Sequence, residues 1–172
     1  MDDARPRLLA LREEARTAHD EFLAAMDRVD PGLVEAPGLV GTWNAVQLLA
    51  HIAYWAENAV GALEAAAAGT VDAYGDEDLD VDALNAEVAA AAVDLAFPAA
   101  QRREEAAFAA LIAALERTPP AALDERVRYG DPLETVIRDD SIDHYLEHAA
   151  DIRAWFDDDA DPDAEDGGDE EA

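Results

Sequence analysis

The chain contains no cysteine. Disulfides, iron–sulfur clusters, thiolate metal sites and cysteine nucleophiles are therefore excluded. Lysine is absent too: all 12 basic residues are Arg, against 41 acids, for a formal net charge of −29. A surface of that sign repels phosphate backbones and anionic headgroups, which argues against nucleic acid or a membrane surface as partner. No window approaches the roughly 18 uncharged apolar residues of a membrane span. The opening MDDARPRLLALREE has no basic region followed by an apolar run and does not read as a signal peptide. The expectation is a soluble cytoplasmic protein. Aromatic residues amount to only 6%, and strand-like alternation is missing throughout.

At 172 residues the chain is long enough for one domain with a single sizeable core. Apolar residues make up 51% of it and Ala dominates them. Ala is the best helix former and a poor strand former, so the bias predicts an all-helical domain packed through small side chains. Two explanations of the acidity compete. One is a local interaction tail; the other is a surface adapted to high intracellular salt, where screening removes most of the self-repulsion. The stretch 157–172, DDDADPDAEDGGDEEA, carries ten of the acids, and the other 31 are spread along the chain. That spread favours salt adaptation, with high genomic GC content as the plainer alternative; on the first account low ionic strength weakens the fold. The stretch 157–172 has almost no apolar residues and is expected to be a disordered tail, leaving 1–156 as the folded domain.

Leu8, Leu11, Ala15, Ala18, Phe22, Ala25 and Val29 recur at helical spacing, predicting a first helix over about 4–29. Asp30-Pro31-Gly32 ends it. Thr42 is the expected N-cap of a second helix over about 43–68, closed by Gly69. After the acidic loop 69–81, a helical stretch of about 82–117 is interrupted at Phe97-Pro98. There Pro98 either kinks the helix or opens a new one in its first turn. Thr118-Pro119-Pro120 ends that stretch, VRYGDP marks a turn, and a last helix is predicted over about 133–156. Four long helical segments with short to moderate loops predict a four-helix bundle, although the acidic loop and the break at Pro98 are irregular for an ideal up-down arrangement.

The histidines carry the functional signal. His144 and His148 stand four apart in DHYLEH, hence on one helix face about 5–6 Å apart at Cβ. Two imidazoles at that spacing can share one ion, each ligand nitrogen lying about 2 Å from it. His51, in LLAHIAYW, lies on an apolar stretch and is expected to point inward. Each feature alone has a plainer reading: an isolated H-x-x-x-H is commonly two solvated imidazoles, and a lone His on an apolar face is commonly satisfied by one hydrogen bond. Together they place three imidazoles inward, which is costly unless something such as a metal ion satisfies them. H-x-x-E-H is also the signature of one metalloprotease group, with Glu147 as base, but that group needs a further carboxylate ligand well downstream, where this chain has only its acidic tail. His19, beside the apolar stripe and among acids, is read as a solvated surface residue. Asp140 and Asp151 fall one turn before and one turn after the pair. Either could fix a ligating imidazole through its free N–H, or could be a plain surface charge. Gln47, Trp55 and Asn58 share the face of His51, and Trp55 and Trp155 are core or pocket wall.

The segment GTWNAVQLLAHIAYW, residues 41–55, resembles the second-helix signature of the DinB-like (YfiT-like) metalloenzymes: a Trp opening the helix, an L-L-A-H core and an aromatic soon after the His. HYLEH is similar to the H-x-x-x-H late in that family, and DVDALNAEV resembles the approach to the third helix in its ClbS/DfsB branch; a branch like the maleylpyruvate isomerase N-terminal region is the other candidate. The resemblance spans about residues 5–156. It implies a four-helix bundle, often dimeric, with a divalent metal, zinc or nickel first among them, on three histidines. By position these are His51, His144 and His148. It also implies a small-molecule substrate. Family chemistries include transfer of low-molecular-weight thiols, isomerisation with a thiol cosubstrate, and hydrolysis of reactive cyclopropanes. The chain departs from the family where a Lys-Asp pair often precedes L-L-A-H; here the pair is Val46-Gln47.

Three functions follow as expectations. The first is an enzyme whose metal acts as a Lewis acid on a thiol or on water, with transfer of a low-molecular-weight thiol slightly ahead of hydrolysis of a small reactive compound. The second is a metal-stabilised protein that sequesters a reactive compound without turning it over. The third is a structural metal, which would need a fourth protein ligand such as Asp140 or Asp151. An anionic thiol cosubstrate would require cationic pocket residues, and Arg138 and Arg153 are the candidates. No nucleophile or general base stands out in the sequence, so no catalytic residue is assigned.

Overall fold

The computed structural model describes residues 4–158. Of the acidic stretch 157–172, only the first two residues belong to that span; the disorder expected of the rest lies outside the described residues. The described chain is all-helical, and its only extended pairings are the isolated bridges Val40↔Trp43 and Arg126↔Pro132. The helices are α1 (Ala4–Met26), α2 (Ala45–Ala68), α3 (Val81–Ala91), α4 (Phe97–Arg117), α5 (Leu133–Ile137) and α6 (Asp143–Asp158), with a π-helical turn, Arg138–Ile142, joining the last two. Short 3₁₀ turns lie at Val71–Ala73 and Pro120–Asp124. None of the described helices is long and apolar enough to cross a membrane.

The predicted periodicities appear as buried faces. Leu8, Leu11, Ala15, Ala18, Phe22 and Ala25 are all buried on α1, although the helix stops at Met26 rather than at Val29. The turn beyond it is closed by Asp30, whose Oδ1 accepts from Gly32 N at 2.7 Å. α2 packs most extensively on α4, and α1 on α6. Ala53 and Ala56 of α2 and Ala107 of α4 form a buried cluster of small residues. Small side chains let two helices approach closely and cost little rotamer entropy on burial. Pro98 sits in the first turn of α4, so it starts a separate helix instead of kinking a continuous one.

Two expectations need correction. The N-cap of α2 is Asn44, not Thr42. Asn44 Oδ1 accepts from Gln47 N at 2.9 Å, and Gln47 Oε1 accepts from Asn44 N at 3.1 Å. This reciprocal capping box satisfies two otherwise free donors and outcompetes a lone hydroxyl two residues earlier, because Trp43 is held in the bridge to Val40. The last helix is not one regular α-helix. Among its buried positions, which also include Val136, Ile142, His148 and Ile152, the residues Leu133, Ile137, Ser141, Tyr145 and Ala149 recur every four residues. A 3.6-residue helix drifts by about 40° over each such step. The wider turn at Arg138–Ile142 absorbs the drift, and Ser141 Oγ donates to the Ile137 carbonyl inside it.

Candidate metal centre

α2 and α6 bring three imidazoles to one point. His51 is buried on α2, His148 is buried on α6, and His144 is half-buried between them. Each offers one ring nitrogen, and the three atoms lie within 4.8 Å of one another. His51 Nε2 stands 2.7 Å from His144 Nε2, which stands 3.1 Å from His148 Nε2. One turn on, Asp151 Oδ2 lies 2.9 Å from His148 Nδ1 and accepts its proton, which leaves the Nε2 lone pair facing the other rings. Burial, then the charge of His148, lowers His51 to about 4. Burial, then His148 and His51, lowers His144 to about 3. Both rings are neutral at pH 7, the state a metal ligand requires.

The donor set fits a divalent ion. A proton on His144 Nε2 can serve one of its two neighbours, whereas a cation accepts all three lone pairs. His51 Nδ1 is buried with no hydrogen-bond partner, so the second-sphere support seen at His148 is not repeated there.

A cavity of about 360 Å³ opens on the three rings. Trp43 and Trp55 wall it, with Trp43 4.7 Å from the His51 ring and Trp55 6.1 Å from the His144 ring, centroid to centroid. Trp55 Nε1 donates to Asn85 Oδ1 at 3.0 Å, tying α3 to α2 across the mouth. Asp140 and Glu147 add two carboxyls to the lining. Asp140 Oδ2 accepts from Asn58 Nδ2 at 2.7 Å. Asn58 is in turn fixed by Tyr74, whose single hydroxyl proton is shared between the Asn58 carbonyl, at 2.8 Å, and the Asn58 side-chain oxygen, at 2.9 Å. That contact exists because residue 61 is glycine: a Cβ there would lie 2.4 Å from the Tyr74 hydroxyl. Burial raises Asp140 to about 7 against the Asn58 hydrogen bond, which lowers it, with a further rise from Asp139. A second cavity of about 570 Å³ shares Trp55, Val81 and Asp140 with the first.

The structure brings His51, His144, His148, Asp140, Asp151 and Trp55 to this site, as their spacing allows. Gln47 is elsewhere: its side chain closes the α2 cap and donates to Ala89 O at 3.2 Å. Arg138 is paired with Glu14 at 2.6 Å and Arg153 with Glu21 at 3.2 Å, so neither lines the cavity. Trp155 packs against the main core rather than the cavity. His19 is a correction. It is buried, with Nε2 3.1 Å from Glu104 Oε1 and its ring stacked on Phe108 at 3.6 Å. The acids beside it in sequence disguised a position whose partner comes from α4. Glu147, one residue before His148, lines the cleft, although its only sequence signal is the H-x-x-E-H pattern. Asn85 lies in the DVDALNAEV segment, but nothing there marked it as a site residue, since α3 folds over the site from a distant segment.

No curated protein and no solved structure matches the chain. Residues 9–151 match the family model of the DinB superfamily, a span that contains all three inward histidines and both cavities, and the chain belongs to that superfamily.

Proposed function

We propose that this protein is a divalent-metal-dependent enzyme that converts a small reactive electrophile, with His51, His144 and His148 holding zinc or nickel in a four-helix bundle formed by residues 1–156. The convergence of three imidazole nitrogens below a tryptophan-walled cavity carries the reading. A divalent ion there supplies Lewis acidity toward the electrophile or its nucleophile. Asp151 holds His148 in the tautomer that presents Nε2. Trp43 and Trp55 restrict water and offer apolar faces to the substrate. Asp140, which lines the cavity and is hydrogen-bonded to Asn58, would accept a proton from a nucleophile at its carboxyl oxygen and return it to a leaving group.

Hydrolysis is favoured over transfer of an anionic thiol. The described cavity lining holds two carboxyls and no Arg, and carboxyls repel the carboxylates of such cosubstrates. A low-molecular-weight thiol without excess negative charge remains compatible with the site. The alternative is a metal-stabilised sequestering protein, favoured by the absence of a hydroxyl or thiol side chain among the lining residues. On this reading the protein is a salt-adapted cytoplasmic homodimer without nucleic-acid or membrane partners.

Incubation of zinc-loaded protein with excess epoxide, activated cyclopropane and activated ester, with and without thiol, separates the two functions. Multiple turnovers, abolished in His144→Ala, support the enzyme. Consumption that stops at one equivalent per chain supports sequestration.

A further inference from the structure

We infer that the buried cluster of His19, Glu104 and Tyr145 is a positioning device that sets the rotation of α6 and so places His144 and His148 against His51. The inference rests on the metal-binding reading of the site. Glu104 is a carboxyl only 1% exposed, in the middle of α4. Its Oε1 accepts from the Tyr145 hydroxyl at 2.6 Å and lies 3.1 Å from His19 Nε2. One carboxyl oxygen thus joins α1, α4 and α6. The rings around it are interlocked: His19 stacks on Phe108 at 3.6 Å, and both meet the Tyr145 ring edge-on, at 5.2 and 5.9 Å.

Apolar packing would hold these helices together at least as well, since burying a carboxyl is unfavourable unless it is fully hydrogen-bonded. What the polar cluster adds is direction. Tyr145 follows His144 immediately and precedes His148 by three residues, and consecutive residues differ by about 100° around a helix. A hydrogen bond that fixes Tyr145 toward α4 therefore fixes the histidine pair toward α2. The need is specific to α6, because the π-helical turn just before it breaks the regular α-helical register that would otherwise carry the setting from α5. A rotation of α6 by only about 20° would move a side-chain tip about 5–6 Å from the axis by about 2 Å. Metal–ligand distances tolerate about 0.2 Å.

The test compares Tyr145→Phe, Glu104→Leu and Glu104→Gln in the full chain. The readouts are zinc affinity by chelator competition, the visible absorption of the cobalt(II)-loaded protein, and thermal stability of the metal-free protein. Tyr145→Phe and Glu104→Leu are expected to weaken zinc binding by about ten-fold or more, as loss of a ligand-orienting group does, and to alter the cobalt spectrum. Glu104→Gln, which keeps an oxygen acceptor for Tyr145, is expected to retain both. Wild-type affinity and spectrum in Tyr145→Phe and Glu104→Leu, whatever their melting temperatures, overturn the inference. Should Glu104→Leu fail to fold, Tyr145→Phe, which loses one oxygen atom, carries the comparison. A wild type that takes up no zinc contradicts the metal reading instead. The positional claim is then read from the ring ¹⁵N shifts of His144 and His148 in metal-free protein: altered shifts in Tyr145→Phe support it, and unchanged shifts overturn it.

Discussion

His148 and Asp151 form a hydrogen-bonded pair one turn apart on α6, Nδ1 to Oδ2 at 2.9 Å, and the pair settles which nitrogen of His148 faces the other two imidazoles. Such a carboxylate supports metal affinity far more than fold stability, because the pair lies at a partly exposed position. Asp151→Ala is expected to weaken zinc binding by about 10–100-fold. Denaturant unfolding of the metal-free variant should differ from wild type by less than about 1 kcal/mol. Chelator competition and urea titration measure the two effects, and a large stability loss with unchanged affinity would contradict the assignment.

Asp140 makes metal-free stability depend on pH in a particular direction. Its carboxyl is raised from 3.8 to about 7 in the fold. Between those values the folded chain keeps a proton that the unfolded chain has lost, so this group's contribution falls as pH rises through the window. Asp140→Asn removes the effect. The stability of the variant relative to wild type is expected to grow from pH 5 to about pH 7 and then level off, in urea titrations with chelator present. Parallel curves would show that Asp140 is not held in a desolvated position.

The histidines act with the opposite sign. His51 and His144 are lowered from 6.5 to about 4 and about 3, so between those values the unfolded chain binds protons that the folded chain refuses. Their contribution is complete above pH 6.5 and is lost as pH falls toward 4 and then 3. His144→Gln is expected to flatten the acid limb of the metal-free stability curve while leaving the region above pH 7 nearly unchanged; an equally steep limb would contradict the burial argument.

The capping box predicts a local cost. Asn44→Ala removes the acceptor for Gln47 N and should destabilise the protein by about 1 kcal/mol. Thr42→Ala should have little effect, and a thermal-melt comparison of the two distinguishes the observed cap from the one expected on sequence alone.

Salt should matter over a wide range. With a net charge of −29, self-repulsion weakens as the screening length contracts from about 10 Å at 0.1 M to about 3 Å at 1 M. The melting temperature is expected to rise by several degrees across that interval, and a flat or falling profile would contradict salt adaptation.

What the sequence disclosed followed from local periodicity. The i, i+4 relation of His144 and His148 and the apolar surroundings of His51 were sufficient to aim three rings inward, because helical geometry converts spacing directly into direction. Ala content alone predicted the all-helical fold. What stayed hidden depended on partners distant in sequence. His19 looked solvated because its partner Glu104 lies 85 positions away. Asn58 reaches Asp140 across 82 positions, and Tyr74 fits only because residue 61 lacks a Cβ. The π-helical turn was written in the four-residue recurrence from Leu133 to Ala149, a pattern easily mistaken for ordinary helical spacing. The cap at Asn44 was also visible as N-x-x-Q and was masked by a plausible Thr two residues earlier.

The most direct test of the metal centre is the metal content of tag-free protein, prepared without chelator at high salt, for wild type and for His148→Ala. One divalent ion per wild-type chain, lost in a variant that remains folded, is the predicted result. A well-folded wild type that holds no ion, even after reconstitution with zinc or nickel, would contradict it.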